Sequence, residues 1–143
     1  MQSEVQVNLE LDTVIGHGRD KEKTNLKTSG SVFQKSNATY IKYDEHLEAG
    51  KVSNVVKITG TQVTVIRRGA VSMRQTFEQG KTTESVYQSP FGALQMEAKT
   101  TQVSFEWDEQ NRSGKLSLDY QLSLQQEQPR HHQMTFTLKG VSV

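Results

Sequence analysis

Apolar and polar residues alternate with a period of two over most of the chain, and no stretch repeats with the spacing of a helix. The pattern is clearest in residues 5–11, 116–124 and 134–138, where an apolar or aromatic residue occupies every second position. Successive side chains of a β-strand point to opposite faces, so the pattern produces one dry face and one face in water. The sequence therefore predicts an all-β protein.

Length, charge and cysteine content exclude several classes of protein. The chain has 143 residues, and we expect residues 1–143 to form a single domain. Its formal charge of +1 lacks the basic excess that binding to nucleic acid phosphates requires. Cysteine is absent, which fits a reducing compartment, and residues 1–11 lack the continuous apolar run of a signal peptide. No segment has the roughly 20 apolar residues of a membrane-spanning helix. We therefore expect a cytoplasmic protein that binds neither nucleic acid nor a membrane.

About ten or eleven strand candidates follow one another, separated by short turns such as Gly60-Thr61 and Gln79-Gly80. Residues 93–100 and 102–108 are predicted as separate strands, and residues 12–25 as a mobile loop or one short helical turn. Short turns favour antiparallel pairing of consecutive strands, and closing the sheet on itself removes its exposed edges. The prediction is a closed antiparallel barrel of about 8–10 strands in meander order. A two-sheet sandwich would give the same alternation and is the main alternative.

Three polar residues, Glu45, Arg67 and Gln75, share the register of the apolar lining, which is also predicted to include Leu47 and Leu94. An unpaired charge in such a lining would cost several kcal/mol. We therefore predict that Glu45 and Arg67 share one buried polar network, and that Tyr43, Gln75 or Tyr120 supplies further members.

Two alternatives to this network stay open. Glu45 and Arg67 could lie at strand ends near a barrel mouth and meet solvent there. A bulge at Arg67, Arg68 and Gly69 could also change which arginine points inward.

The functional hypothesis is a non-catalytic binding module for a small apolar or amphipathic molecule in the barrel lumen. An inward arginine beside a tyrosine could hold an anionic head group of such a molecule. The alternative is a structural or partner-binding barrel with a filled interior. No spacing of histidines or carboxylates supports catalysis or a metal site, so no cofactor is expected, and a homodimer is compatible with the sequence but not indicated by it. The candidate ligand-binding residues are Arg67, Glu45, Tyr43, Gln75, Tyr120 and Trp107.

Several segments resemble the YwiB-like family of small, uncharacterised bacterial β-barrel proteins. They are the third strand with Tyr40, Tyr43 and Glu45, the run 63–71, Phe77 with Gly80, the turn 89–92, and the strand 116–122. The resemblance covers most of the chain and implies a calycin-like, lipocalin-related barrel. It implies no activity. Inferring ligand binding from calycins in general would be an analogy based on the fold alone.

Overall fold

The computed structural model describes residues 4–141, with only the backbone at His17. These residues form ten β-strands, and no helix among them is long and apolar enough to cross a membrane. The strands are β1 (Val5–His17), β2 (Asp20–Lys35), β3 (Ala38–Leu47), β4 (Gly50–Thr59), β5 (Gln62–Gly69), β6 (Ser72–Glu78), β7 (Thr82–Ser89), β8 (Gly92–Asp108), β9 (Ser113–Leu124) and β10 (Arg130–Gly140).

The ten strands form a closed antiparallel barrel in meander order, which confirms the predicted fold class. Each strand pairs with its neighbours in sequence, and β1 pairs with β10 to close the ring. The two strands predicted between residues 93 and 108 are one strand, β8, with a β-bulge between Thr100 and Gln102. The bulge adds one residue to β8, so that Ala98 and Val103 both face the lumen.

The prediction of a loop or helical turn at residues 12–25 is wrong. Strands β1 and β2 continue through this segment as a hairpin, paired as far as His17 and Asp20, with Gly18 in the left-handed region at φ 63°. Beyond the pair formed by Gly30 and Tyr43, β2 has no ladder with β3. This outer part of the hairpin is solvated on both faces, so its residues show weak alternation although the backbone is a strand.

The two ends of the barrel differ in how they are filled. At the closed end, which carries the β2–β3, β4–β5, β6–β7 and β8–β9 turns, the lumen holds a continuous apolar core. Its fully buried side chains include Val7, Ile41, Val63, Leu116 and Phe136. We call this region the closed half, and the opposite region, where the β1–β2, β3–β4, β5–β6, β7–β8 and β9–β10 turns lie, the open half.

The prediction of inward facing was correct for most apolar residues of the alternating pattern, but two of them are less buried than the rest of the lining. Leu47 and Leu94 each keep 37% of their surface exposed. Leu47 is the last residue of β3 and Leu94 lies near the start of β8, so both are at the rim of the open half. At the rim, no further layer of side chains covers them.

The seam between β6 and β7 has a ladder only at its open end, where Ser72 pairs with Gln88 and Met73 with Tyr87. Toward the closed end, Gln75 bridges the two strands with its side chain. Its Nε2 donates to Thr83 Oγ1 at 3.0 Å and to the Thr76 carbonyl at 2.9 Å, and its Oε1 accepts from the Ser85 hydroxyl. Gln75 is 1% exposed, so these bonds replace water that it has lost.

Candidate functional site

A half-enclosed cavity of about 360 Å³ occupies the lumen of the open half. Its volume falls within the roughly 300–1,000 Å³ that is usual for small-molecule sites. Eight of the ten strands contribute to its wall, every strand except β2 and β4. Its aliphatic and thioether side chains include Leu11, Met73, Leu94, Leu122, Leu124 and Met134.

Aromatic rings form the floor of the cavity, where it meets the closed half. The ring of Tyr120 lies 4.5 Å from that of Phe77 and stacks on His132 at 5.1 Å between centroids. The Tyr120 hydroxyl donates to Met134 Sδ at 3.1 Å, and burial raises the pKa of this hydroxyl above its usual range. On the β3 side, Tyr43 contacts the edge of Phe136 with the centroids 6.1 Å apart. This layer separates a packed core from a space that a ligand could enter.

Three polar side chains form one hydrogen-bonded group, which we call the polar trio: Glu45 and Arg67, which line the cavity wall, and Asn54, which bonds to both without lining the cavity. Arg67 Nη2 donates to Glu45 Oε1 at 3.1 Å, and Arg67 Nε donates to Asn54 Oδ1 at 3.1 Å. Asn54 Nδ2 in turn donates to Glu45 Oε1 at 2.9 Å. The side chains of Glu45 and Arg67 are each 20% exposed, whereas Asn54 is 1% exposed. The trio therefore lies between the core and the solvent at the open end.

The trio also acts on Tyr43, which precedes Glu45 by two residues on the same face of β3. The pKa of Tyr43 is raised, mainly because the ring is buried and secondly because Glu45 is negative; the positive charge of Arg67 partly opposes this shift. Tyr43 therefore presents a neutral hydroxyl at physiological pH.

The backbone around Arg67 explains why this arginine, and not Arg68, enters the lumen. Arg67 pairs with Asn54 and Arg68 with Ser53 in an unbroken β4–β5 ladder, so Arg68 points outward and is exposed. The bulge considered from the sequence is absent from this ladder. Gly69 has φ 127°, and a Cβ there would lie 2.3 Å from the Lys51 carbonyl oxygen, so glycine allows β5 to end close against β4.

The predicted pairing of Glu45 with Arg67 is confirmed, but its further members were predicted wrongly. In the described structure, Tyr43, Gln75 and Tyr120 line the cavity without a hydrogen bond to either charged residue. Gln75 instead bridges β6 and β7. Sequence reasoning missed Asn54, although its register with Val52, Val56 and Ile58 on β4 was a usable signal. The adjacent valines 55 and 56 obscure the phase of that strand.

Trp107 requires a separate correction, because the structure places it apart from the other candidate residues. It lies near the end of β8, opposite Gly114, and packs against the core of the closed half. It does not line the cavity. The alternating pattern correctly predicted that this side chain faces inward, but it contains no information on which end of the barrel a residue occupies. Whether the residues that do line the cavity bind a ligand stays a prediction.

A larger depression of about 620 Å³ lies on the outer surface, along β7 and β8 and the turn after β9. Glu84 and Glu97 face each other directly across the two strands there, and Glu127 lies nearby. Like charges directly opposite each other repel, which disfavours covering this surface with an apolar ligand. Among the described residues, no group of three or more His, Asp or Glu side chains could hold a metal ion. We regard the lumen cavity as the better candidate site, because its wall is mostly apolar whereas the outer depression is lined mainly by polar and charged residues.

A second outer feature combines aromatic and basic side chains on β2, β3 and β4. Phe33 and Tyr40 stack with centroids 5.0 Å apart, Lys42 Nζ lies 5.1 Å from the Phe33 centroid, and Lys57 Nζ lies 6.0 Å from that of Tyr40. Sequence reasoning missed this cluster, because its members come from three strands. Because the two rings stack on each other, one face of each ring is already covered within the protein.

The fold and site together define a class of protein: a closed ten-stranded barrel with one packed half and one half that encloses a cavity. The chain belongs to the family described as a domain of unknown function, DUF1934, whose model matches residues 9–136. It is 33% identical over 140 residues to the uncharacterized beta-barrel protein YwiB of Bacillus subtilis (strain 168), covering 98% of this chain and 97% of that protein.

The likeness extends to a solved structure. The crystal structure of the ywiB protein from Bacillus subtilis superimposes with a TM-score of 0.88 at 31% identity, covering 97% of this chain and 94% of that one. The resemblance inferred from the sequence is thereby confirmed. The descriptions of these relatives state no activity, so the function of this chain must be inferred from its own site.

Proposed function

We propose that this protein is a non-catalytic binding module for small apolar or amphipathic molecules, with the binding site in the lumen of the open half. The main observation in support is the cavity of about 360 Å³, whose wall is mostly apolar and includes two members of the polar trio, Glu45 and Arg67. Apolar walls with a few placed polar groups are typical of small-molecule sites. A calycin-like classification is part of the proposal and is supported by the up-and-down closed barrel.

We propose a non-catalytic role because the pair His131 and Asp119 lacks the neighbour that nucleophilic catalysis needs. His131 Nε2 lies 2.7 Å from Asp119 Oδ1 on the outer face, as in the base and orienting acid of a hydrolase. Nucleophilic catalysis also needs a hydroxyl or thiol within reach of the base. In the described part of the chain, no hydroxyl bonds to His131, and Gln133 Nε2 donates to the second Asp119 oxygen at 3.2 Å. A cytoplasmic location is proposed with the function, since a chain without cysteine fits a reducing compartment.

Two leucines at the rim give a matched test of lumen binding. Leu94 and Leu47 are each 37% exposed, but only Leu94 lines the cavity. The probe is N-phenyl-1-naphthylamine, an uncharged dye whose fluorescence rises in apolar surroundings. We expect Leu94→Trp to fill part of the cavity and to weaken dye binding by about tenfold or more. Leu47→Trp should leave the affinity within about twofold.

The readout is a fluorescence titration, with circular dichroism spectra to show that both variants keep the barrel. Equal losses in the two variants, or no saturable binding by the parent protein, would contradict the proposed site. Native mass spectrometry of the protein purified from its own host complements the titration, since a retained small molecule would appear as a fixed added mass.

The second candidate function is a barrel that acts through its exterior by binding a partner protein. Phe91 favours it, because this ring is 96% exposed at the turn between β7 and β8. Phe91→Ser would then abolish partner binding and leave dye binding in the lumen unchanged. The dye titration therefore tests lumen binding alone, and loss of partner binding with unchanged dye binding would favour this second function.

A further inference from the structure

The polar trio is electrically balanced, which restricts what the cavity can bind. Of the fifteen residues that line the cavity, only Glu45 and Arg67 have side chains that are charged at neutral pH. They are in direct contact, with Arg67 Nη2 and Glu45 Oε1 3.1 Å apart. The positive charge that could attract an anionic head group is therefore already compensated inside the protein.

The trio nevertheless keeps hydrogen-bonding capacity for a ligand. Both bonds to the Glu45 carboxylate end on Oε1, and within residues 4–141 no bond is formed to Oε2. Arg67 uses Nε and Nη2, and no described contact involves Nη1. A guanidinium carries five N–H donors and a carboxylate two acceptor oxygens. One free acceptor and several free donors are thus available side by side at the cavity wall.

The cavity wall should bind a carboxylate less favourably than an uncharged polar group. A carboxylate would gain from the Arg67 donors but would be repelled by Glu45 at a similar distance, and it would also lose its own hydration. A primary amide or a hydroxyl both donates and accepts, so it can bond to Glu45 Oε2 and to Arg67 together without adding charge. The anionic head group considered from the sequence is therefore disfavoured.

We infer that the open-half cavity takes uncharged amphiphiles, whose polar end both donates and accepts hydrogen bonds, in preference to carboxylates with the same apolar chain. This inference rests on the proposed function, because it concerns the ligand class of the same site. Glu45 is then the specificity-determining residue, and Arg67 alone would select the opposite class.

The test compares decanamide with decanoate, which share one alkyl chain and differ in the charge of the polar end. Each compound competes against N-phenyl-1-naphthylamine for the parent protein at about pH 7.5, where decanoate is ionised. We expect decanamide to displace the dye at a concentration at least about tenfold lower than decanoate. Displacement at equal concentrations, or a preference for decanoate, would overturn the inference and leave lumen binding intact.

Glu45→Gln removes the only negative charge of the trio with little change of side-chain shape. The glutamine oxygen can still accept from Asn54 and Arg67, so the trio keeps its geometry while Arg67 becomes uncompensated. Decanoate should then gain at least about tenfold relative to decanamide. The double variant Glu45→Gln/Arg67→Gln should return the preference to decanamide. An unchanged preference in Glu45→Gln would contradict the assigned role of Glu45.

These experiments separate the inference from the function on which it depends. If neither compound displaces the dye, or if the dye does not bind, then the proposed function and the inference both fail. If the dye binds and the order of the two competitors is reversed, then only the inference fails. Circular dichroism spectra and thermal unfolding of each variant verify that the barrel is retained.

Discussion

In the closed half of the barrel, Leu116 and Phe136 have no exposed surface, whereas in the open half Leu122 and Met134 on the same two strands remain partly exposed. Both pairs belong to the same inward-facing series, and they are separated by only a few residues along β9 and β10. The difference between them therefore does not come from strand pattern. It comes from what the other strands bring to each level of the lumen.

Besides the bulge in β8, two strand ladders among the described residues are incomplete, at different levels of the barrel. Toward the closed end, the gap between β6 and β7 is bridged by Gln75, which also lines the cavity, together with Thr83 and Ser85. In the open half the ladder between β2 and β3 ends at Gly30 and Tyr43, and the β1–β2 hairpin continues beyond it. The gap nearer the core is thus closed by side-chain hydrogen bonds, whereas at the open rim β2 continues without a ladder to β3.

The largest expected effect comes from truncating equivalent leucines in the two halves. Leu116→Ala should lower the free energy of unfolding by about 3–4 kcal/mol, because it opens a void in a packed core. Leu122→Ala should cost only about 1 kcal/mol, because its side chain already borders a cavity. Urea denaturation of both variants measures the difference. Equal losses would mean that the open half is as tightly packed as the closed half.

The next effect is a loss of stability at alkaline pH from Tyr43 and Tyr120, which lie where the two halves meet. Burial raises the pKa of both hydroxyls, so above about pH 10 they ionise in the unfolded chain but not in the barrel. The unfolded state then binds fewer protons than the native state, and stability falls as pH rises. Together the two should cost about 3 kcal/mol at about pH 11.

Single substitutions isolate each contribution to this alkaline loss. Tyr43→Phe and Tyr120→Phe should each remove about half of the loss between about pH 9 and 11, whatever their effect at neutral pH. Urea denaturation at a series of pH values measures it. Identical pH dependence in the parent and in both variants would contradict ionisation of these two tyrosines as its cause.

The smallest expected effect concerns the β6–β7 seam. Gln75→Leu keeps most of the side-chain volume but removes the bonds to Thr83 and Ser85, and it should cost about 1–2 kcal/mol. Hydrogen exchange should accelerate in β7 more than in β9. The matched control is Thr64→Val, which removes a buried 3.2 Å hydroxyl contact to Thr76 across the fully paired β5 and β6. A similar response of β7 in both variants would show that Gln75 is not what closes the seam.

Much of the architecture was accessible from the sequence, because alternation is a local property of a strand. It predicted the closed antiparallel meander and the inward facing of Glu45 and Arg67. It failed for residues 12–25, where both faces of the hairpin meet water and alternation carries little signal. It also missed Asn54, since two neighbouring valines obscure the phase of β4.

The residues thus specified which side chains face the lumen, since that choice depends only on parity along each strand. The stagger of ten strands around a closed ring specified the level at which each side chain lies. Because of that stagger, Asn54 lies where it bonds to both Glu45 and Arg67, and Trp107 lies at the closed end, away from the cavity. It arises from pairing between distant parts of the chain, which a local pattern does not contain.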